Sequence, residues 1–375
     1  MLDMSAAFDT IDHTILLRRL HHSCGITGDV LTWFKSYLSD RRQSVIIKDV
    51  RSGEKAVNYG VPQGSVLGPK LFSIYTRPIG NILSRHGLSY HLYADDCLEY
   101  AVARPSPANL AVVVSMFQKC LHELKSWLSI NGLKQNDDKT EFIVFCPKKY
   151  NGLCQELSLK VGDCTVFPSD NVRNLGVLFD RNLDMQKHVS NISRICYYQL
   201  RNISKIRKFL SDDACRALVQ ATVVSRLDYA NALFYGIRGD LMNQLQRVQN
   251  TAARVISKTS RRAHITPVLA QLHWLPVCQR VEFKILLIVY KALQGLTPSY
   301  ISSMIQRYQP SRSLRSADQY LLSVPRTKTK GFGNRSFRLA APVLWNALPL
   351  EVRLSESLGS FKKSLKTHLF NAYYN

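Results

Sequence analysis

The apolar positions divide this chain into a mixed first part and a mostly helical second part. Ile15, Leu16 and Leu20, then Leu31, Phe34 and Leu38, predict helix over residues 14–40. Further helices are expected from about Pro69 to Arg85 and from Asn109 to Ile130. Val45-Ile46-Ile47 and Ala56-Val57 read as strands around a turn at Ser52-Gly53. His91-Leu92-Tyr93 and Leu98-Glu99-Tyr100 flank an acidic turn, which predicts a hairpin. Strands are also expected over Lys139 to Cys146 and Leu175 to Phe179, and Met1-Leu2-Asp3 reads as the end of one. From about residue 185 the period changes. Val189, Ile192, Cys196, Leu200 and Ile203 recur at intervals of three and four, as do Leu241, Leu245, Val248, Ala252 and Val255. Ser211 before Asp212 and Asp213 predicts a capped helix start. Gly60 to Gly68 and residues 308–335 read as loops, and no internal repeat is evident.

At 375 residues the chain has room for two or three domains with their own cores. A hydrophobic fraction of 46% is ordinary for a globular protein, whereas a net charge of +23 is not. The excess is uneven. Residues 1–150 carry 18 Lys and Arg against 14 Asp and Glu, residues 151–240 carry 12 against 9, and residues 241–375 carry 20 against 4. The acids are therefore concentrated where chemistry can use them, and the cations where a polyanion can be held. Nine cysteines are scattered without a CxxC pair, which argues against a structural zinc site and for a reducing compartment. The longest late apolar run, Ile285 to Tyr290, is far too short to span a bilayer.

Four segments carry candidate chemistry. Tyr93-Ala94-Asp95-Asp96 puts two carboxylates at a hairpin tip, where they can hold a divalent metal or serve ordinary turn chemistry. Asp3 ends a short apolar stretch and precedes Met4-Ser5-Ala6-Ala7-Phe8-Asp9. Gly60-Val61-Pro62-Gln63-Gly64-Ser65-Val66-Leu67-Gly68-Pro69 and Asn136-Asp137-Asp138-Lys139-Thr140 complete the set. Each alone is weak, because isolated Asp residues are often caps or solvated face residues.

In this order the segments resemble the lettered palm motifs of reverse transcriptases, and most closely those of LINE-like, non-LTR retrotransposons. LDMSAAFDTIDH resembles motif A, GVPQGSVLGPKLFSIY motif B, YADD motif C and NDDKTE motif D. NLGVLFDRNLDMQKHV resembles the block near the primer end, and HWLPVCQRVEFKILLIVYKAL with APVLWNALP resembles the C-terminal region of such elements.

The resemblance implies an α+β right-hand palm over residues 1–150, an antiparallel sheet with helices. A primer-grip-like strand and helical thumb would follow over 151–240, and a basic, mostly helical C-terminal region over 241–375. It implies RNA-directed DNA synthesis with an RNA template, a DNA primer or target, dNTPs and two Mg²⁺ ions, Mn²⁺ being a possible substitute; no membrane partner is implied. Asp3 and Asp95 would share the ions and Asp96 would complete the cluster. Three close carboxylates repel one another and favour cation uptake. Phe8 would exclude a ribose 2′-hydroxyl, or simply fill the core. Pro62, Gln63, Gly64 and Tyr93 would shape the nucleotide site, and Lys139 would neutralise or protonate the leaving pyrophosphate. Such proteins act inside the cell, in a cytoplasmic ribonucleoprotein and then in the nucleus. The fingers that precede motif A in this family, and its upstream endonuclease, have no counterpart in the 375 residues. A second expectation therefore stands beside the first: a catalytically inactive, truncated remnant that binds nucleic acid through basic helices.

Those helices are read from two stripes. Arg194, Arg201, Lys205 and Lys208 follow spacings of seven, four and three, and so do Arg247, Arg254, Lys258 and Arg261. Each lies beside an apolar stripe on the same predicted helix, so one face can be buried while the other meets phosphates or solvent. Trp274, Tyr300 and Trp345 are candidates for stacking on bases, or for the core.

Overall fold

The computed structural model describes every residue except 3, 6, 63, 163, 311–318, 328–331 and 375. The chain divides into two compact units, Met1–Gly176 and Val177–Asn375. The boundaries expected at 150 and 240 do not coincide with this division. Leu159 and Val161 belong to the core of the first unit, which holds residues 151–176 to it. On both sides of residue 240, the helices share one core in which Val189, Cys196 and Leu200 meet Leu241, Leu245 and Val248.

In the first unit, the apolar stretch at 14–40 is two helices, His13–Cys24 and Gly28–Leu38. Gly25 separates them, turning at φ 67°. The expected helix over 69–85 is likewise two, Gly68–Thr76 and Pro78–Arg85. Pro78 starts the second, where its missing N–H is harmless. The strand reading at 45–57 needs correction. The tight turn falls at Lys48-Asp49, with Lys48 at φ 54°, so that Ile46–Ile47 pairs with Val50–Arg51 and Arg42–Gln43 with Lys55–Ala56. The expected strand over 139–146 is also absent. Asp137–Lys139 is a 3₁₀ turn, and after it Phe142 makes one bridge to Pro168.

A buried polar knot ties three helices together. The Tyr75 hydroxyl donates to Asn131 O at 2.6 Å, beyond the end of the helix Pro107–Ile130, and accepts from the Asp12 N–H at 3.4 Å. Arg19 donates to Tyr75 O and, at 2.5 Å, to Asn131 Oδ1, with its guanidinium 4.4 Å from the Tyr75 ring centre. Burial pushes both the Arg19 pKa down and the Tyr75 pKa up. Around the knot, Leu16, Leu20, Leu71, Phe72, Leu124 and Leu128 are shielded from water. Each such side chain contributes roughly 1.5–3 kcal/mol.

The second unit is helical as expected. Its longer elements include Gln186–Ile206, Gly239–Ser257, Val277–Leu293, Phe337–Asn346 and Leu358–Tyr374. Ser211 caps Asp212–Val219 by accepting from the Ala214 N–H at 3.2 Å. Of the loop expected over 308–335, residues 311–318 and 328–331 lie outside the described residues, and Phe332–Arg335 is a short helix. Among the described residues no helix is long and apolar enough to cross a membrane.

Tyr75→Phe should leave the Asn131 carbonyl and the Asp12 N–H unsatisfied in a buried site. A loss of about 1–3 kcal/mol is expected, measured by chemical denaturation followed by circular dichroism.

Candidate active site

The expected hairpin forms, with Ser89–Tyr93 pairing antiparallel to Asp96–Tyr100 and Tyr93 opposite Asp96. Only Ala94 and Asp95 lie between the strands, and Ala94 closes the turn at φ 51°. Such a value costs a residue with a Cβ free energy, so the flanking ladder must impose it. Asp95 at the tip is half-buried, and Asp96 is exposed. Side chains alternate along the second strand, which sends Cys97 and Glu99 into the core. Burial pushes the Glu99 carboxyl up, and raises the Cys97 thiol well above its ordinary range. These groups face the core rather than the polar tip.

Asp3 lies outside the described residues. Leu2 forms an antiparallel bridge with Cys97, through N–H to O distances of 2.9 and 3.3 Å. Met4–Ser5 pairs antiparallel with Lys134–Gln135. The first strand therefore has the acidic hairpin on one side and the strand leading to Asn136-Asp137-Asp138-Lys139 on the other.

The turn after that strand is laced to the loop at 60–68. Val61 N donates to Phe8 O at 2.9 Å, Gly60 N to Ile11 O at 2.8 Å, and His13 Nε2 lies 2.7 Å from Gly60 O. Gly60 makes this approach possible. Its φ is 86°, and a Cβ there would stand 2.9 Å from Asp9 O. Within the loop, the Ser65 hydroxyl donates to Pro62 O at 2.7 Å and accepts from the Gly68 N–H at 3.0 Å. Gly64 has φ 80° with open space where a Cβ would be, and Gln63 lies outside the described residues.

Phe8 is half-buried, its ring stacked on Phe72 at 4.7 Å between centres. It thus joins the core cluster while retaining an accessible portion, so the two expected roles are compatible in geometry. Tyr93 is exposed, Pro62 is half-buried, and Lys139 is exposed on its 3₁₀ turn. Asp137 on the same turn is ion-paired with Lys125 at 2.9 Å, a structural role. Sequence reading missed what holds the hairpin down. Gly80, in the helix Pro78–Arg85, faces Tyr90 so closely that a Cβ would lie 2.4 Å from the tyrosine oxygen. A Gly inside an amphipathic helix was the available signal.

Among the described residues, no three His, Cys, Asp or Glu side chains come close enough to hold a metal ion. The hairpin tip offers two carboxylates and no sulfur or imidazole donor, a hard-oxygen set that fits Mg²⁺ or Mn²⁺.

In the second unit the first basic stripe is on the surface. Arg194, Arg201 and Lys205 are exposed on Gln186–Ile206, and Lys208 is exposed on the following 3₁₀ turn. The second stripe is broken. Its helix ends at Ser257, Lys258 takes the left-handed capping conformation at φ 55°, and Arg261 lies beyond it. Arg247 is exposed, but Arg254 donates to Ala263 O at 3.3 Å, and Lys258 stands 3.8 Å from Asp212. Trp345 and Trp274 are buried, so of the three aromatic candidates only Tyr300 is exposed.

Residues 1–179 match the reverse transcriptase (RNA-dependent DNA polymerase) family. The particular relatives are proteins of Drosophila transposons and mobile elements. The chain is 28% identical over 272 residues to the probable RNA-directed DNA polymerase from transposon BS of Drosophila melanogaster, covering 68% of this chain and 28% of that protein. It is 27% identical over 273 residues to the RNA-directed DNA polymerase from mobile element jockey of Drosophila funebris, covering 69% and 28%. The probable RNA-directed DNA polymerase from transposon X-element of Drosophila melanogaster is 27% identical over 266 residues, covering 68% and 28%. The chain thus spans little more than a quarter of the length of these relatives.

Two glycine variants should separate close approach from backbone conformation alone. Gly64→Ala is expected to cost about 1–2 kcal/mol, from its positive φ. Gly60→Ala should cost more, about 2–4 kcal/mol, because the new methyl also meets the Asp9 backbone. Thermal unfolding of both variants measures the difference.

Proposed function

We propose that this chain carries the polymerase palm and following helical region of a non-LTR retrotransposon reverse transcriptase, which extends a DNA primer on an RNA template. The observation that carries the proposal is the pairing of Leu2, just before Asp3, with Cys97, just after Asp96. It joins the segments that supply all three expected carboxylates.

Nucleotide addition needs positioning and charge neutralisation more than covalent chemistry. Asp95, Asp96 and Asp3 would hold the divalent ions, which when bound neutralise the triphosphate and favour an ionised primer 3′-hydroxyl. Phe8, fixed by its stacking on Phe72, would discriminate against a ribose. The Pro62–Gly68 loop, braced by Ser65, shapes the space for the new base pair. Lys139 stands ready to meet the departing pyrophosphate. Exposed Arg194, Arg201, Lys205, Lys208 and Arg247 contact nucleic-acid phosphates without reading sequence.

Primer extension on poly-rA/oligo-dT with Mg²⁺ and dTTP tests the site. Extension that Asp95→Asn eliminates supports it, and extension that persists in that variant sinks it. A failure of the unaltered chain to extend, with RNA binding retained, would favour the inactive remnant. The basic face has its own test, in RNA affinity measured against salt. Each lost phosphate contact on a single strand lowers the log–log slope by about 0.7, so Arg201→Gln with Lys205→Gln should lower it by about 1.4.

A further inference from the structure

In the second unit a cavity of about 220 Å³ opens beside Tyr290, Gln294, Arg307, Tyr320, Trp345 and Arg353. A water occupies roughly 30 Å³ in the liquid, so the space takes an anion of several heavy atoms. Its walls are pinned. Trp345 Nε1 donates to Tyr320 O at 2.9 Å, and Asn346 exchanges hydrogen bonds of 2.8 Å with Leu322 in both directions. Leu322 bridges Arg307, and the Tyr290 hydroxyl donates to Ser355 O at 2.9 Å.

The polar groups of this cavity are lopsided. Arg353 Nε and Nη1 are buried with no hydrogen-bond partner. Among the described residues none forms an ion pair with Arg353 or Arg307, and no Asp or Glu lines the space. Glu351 and Glu356, the acids nearest to Arg353 in sequence, are exposed and unpaired with either arginine. Leaving guanidinium N–H groups buried and unpaired costs free energy that a bound oxyanion would recover, since arginine's planar donors match phosphate oxygens. Burial already pushes the Arg353 pKa down, consistent with a cation that lacks its counter-charge.

We propose that this cavity is a binding site for a single phosphate group, held by Arg353 and Arg307, distinct from the polymerase site. It does not depend on the polymerase reading, because inorganic phosphate alone tests it. The phosphate belongs either to the free anion or to a nucleotide chain.

The test is calorimetric titration of the 375-residue chain with inorganic phosphate, against chloride at matched ionic strength. Saturable binding is expected, weakened about tenfold or more by Arg353→Gln and by Arg307→Gln, and unchanged by Arg216→Gln at an exposed position outside the cavity. Should Arg353→Gln fail to fold by circular dichroism, the exposed Arg307→Gln carries the same test. Displacement of phosphate by a 5′-phosphorylated dinucleotide, but not by its 5′-hydroxyl form, supports the site and assigns it to nucleic acid. Displacement by neither supports it as a site for the free anion. Absence of saturable binding, or binding that neither cavity variant weakens, overturns the proposal.

Discussion

The first unit depends on a strand too short to stand by itself. Leu2 exchanges two hydrogen bonds with Cys97, while Met4 and Ser5 pair with Gln135 and Lys134. Each such bond contributes a net 0.5–1.5 kcal/mol or so, and ordering each residue costs about 1–2 kcal/mol. The ladder therefore does not hold itself. What holds it is the apolar underside, where Leu2, Met4, Cys97 and Leu133 are all buried. The carboxylates at the hairpin tip are positioned from below, by packing. Under the proposed function, the upper side would then be left to admit nucleic acid and a triphosphate.

The same economy explains the glycines and the buried polar knot. The loops of the candidate site approach one another closely, and side chains limit that approach. Gly60 removes the limit where the 60–68 loop meets Asp9, and Gly80 removes it where Tyr90 rests on a helix. Arg19, Tyr75 and Asn131 then fix three helices with directional bonds, which apolar packing alone does not supply. Phe8 stacks on Phe72, within the helix that ends at Thr76 beside this knot. An orientation set at Phe8 is thus referred back to a rigid base.

Much of this was legible in the sequence, for identifiable reasons. The hairpin announced itself by His91-Leu92-Tyr93 and Leu98-Glu99-Tyr100 flanking an acidic turn, and the second unit by three-and-four spacing from Val189 onward. Local periodicity reports a buried face, which is why these elements were found. What failed depended on backbone detail or on distant partners. Lys48 at positive φ moved a turn that Ser52-Gly53 seemed to mark, since the turn signal is statistical whereas the ladder decides the register. Residues 151–176 joined the first unit because Leu159 and Val161 found its core, a contact over a long sequence separation. The stripe through Arg247, Arg254, Lys258 and Arg261 assumed a helix that continues. The chain turns at Lys258 instead. For the site, types and order of residues gave the candidates, but the links between their segments, Leu2 with Cys97, Met4 with Gln135 and Val61 with Phe8, are visible only in space.

Net charge is a poor count of the cations left for a partner. In the second unit some of the arginines are internal fasteners. Arg207 is buried and donates to the carbonyls of Val255, Ile256 and Leu210 and to Asp212, closing the end of the helix Gly239–Ser257. Arg335 donates to Tyr235 O and Leu183 O, and Arg280 holds Asp228. A guanidinium used this way satisfies carbonyls that a helix end leaves open. Its charge is then a consequence of fold chemistry and contributes little to an outward field. The cations that remain exposed on Gln186–Ile206 lie opposite a face buried at Val189, Ile192, Cys196, Leu200 and Ile203. Burial of that face fixes which way Arg194, Arg201 and Lys205 point, so the requirement to hide the apolar stripe is also what presents the basic one.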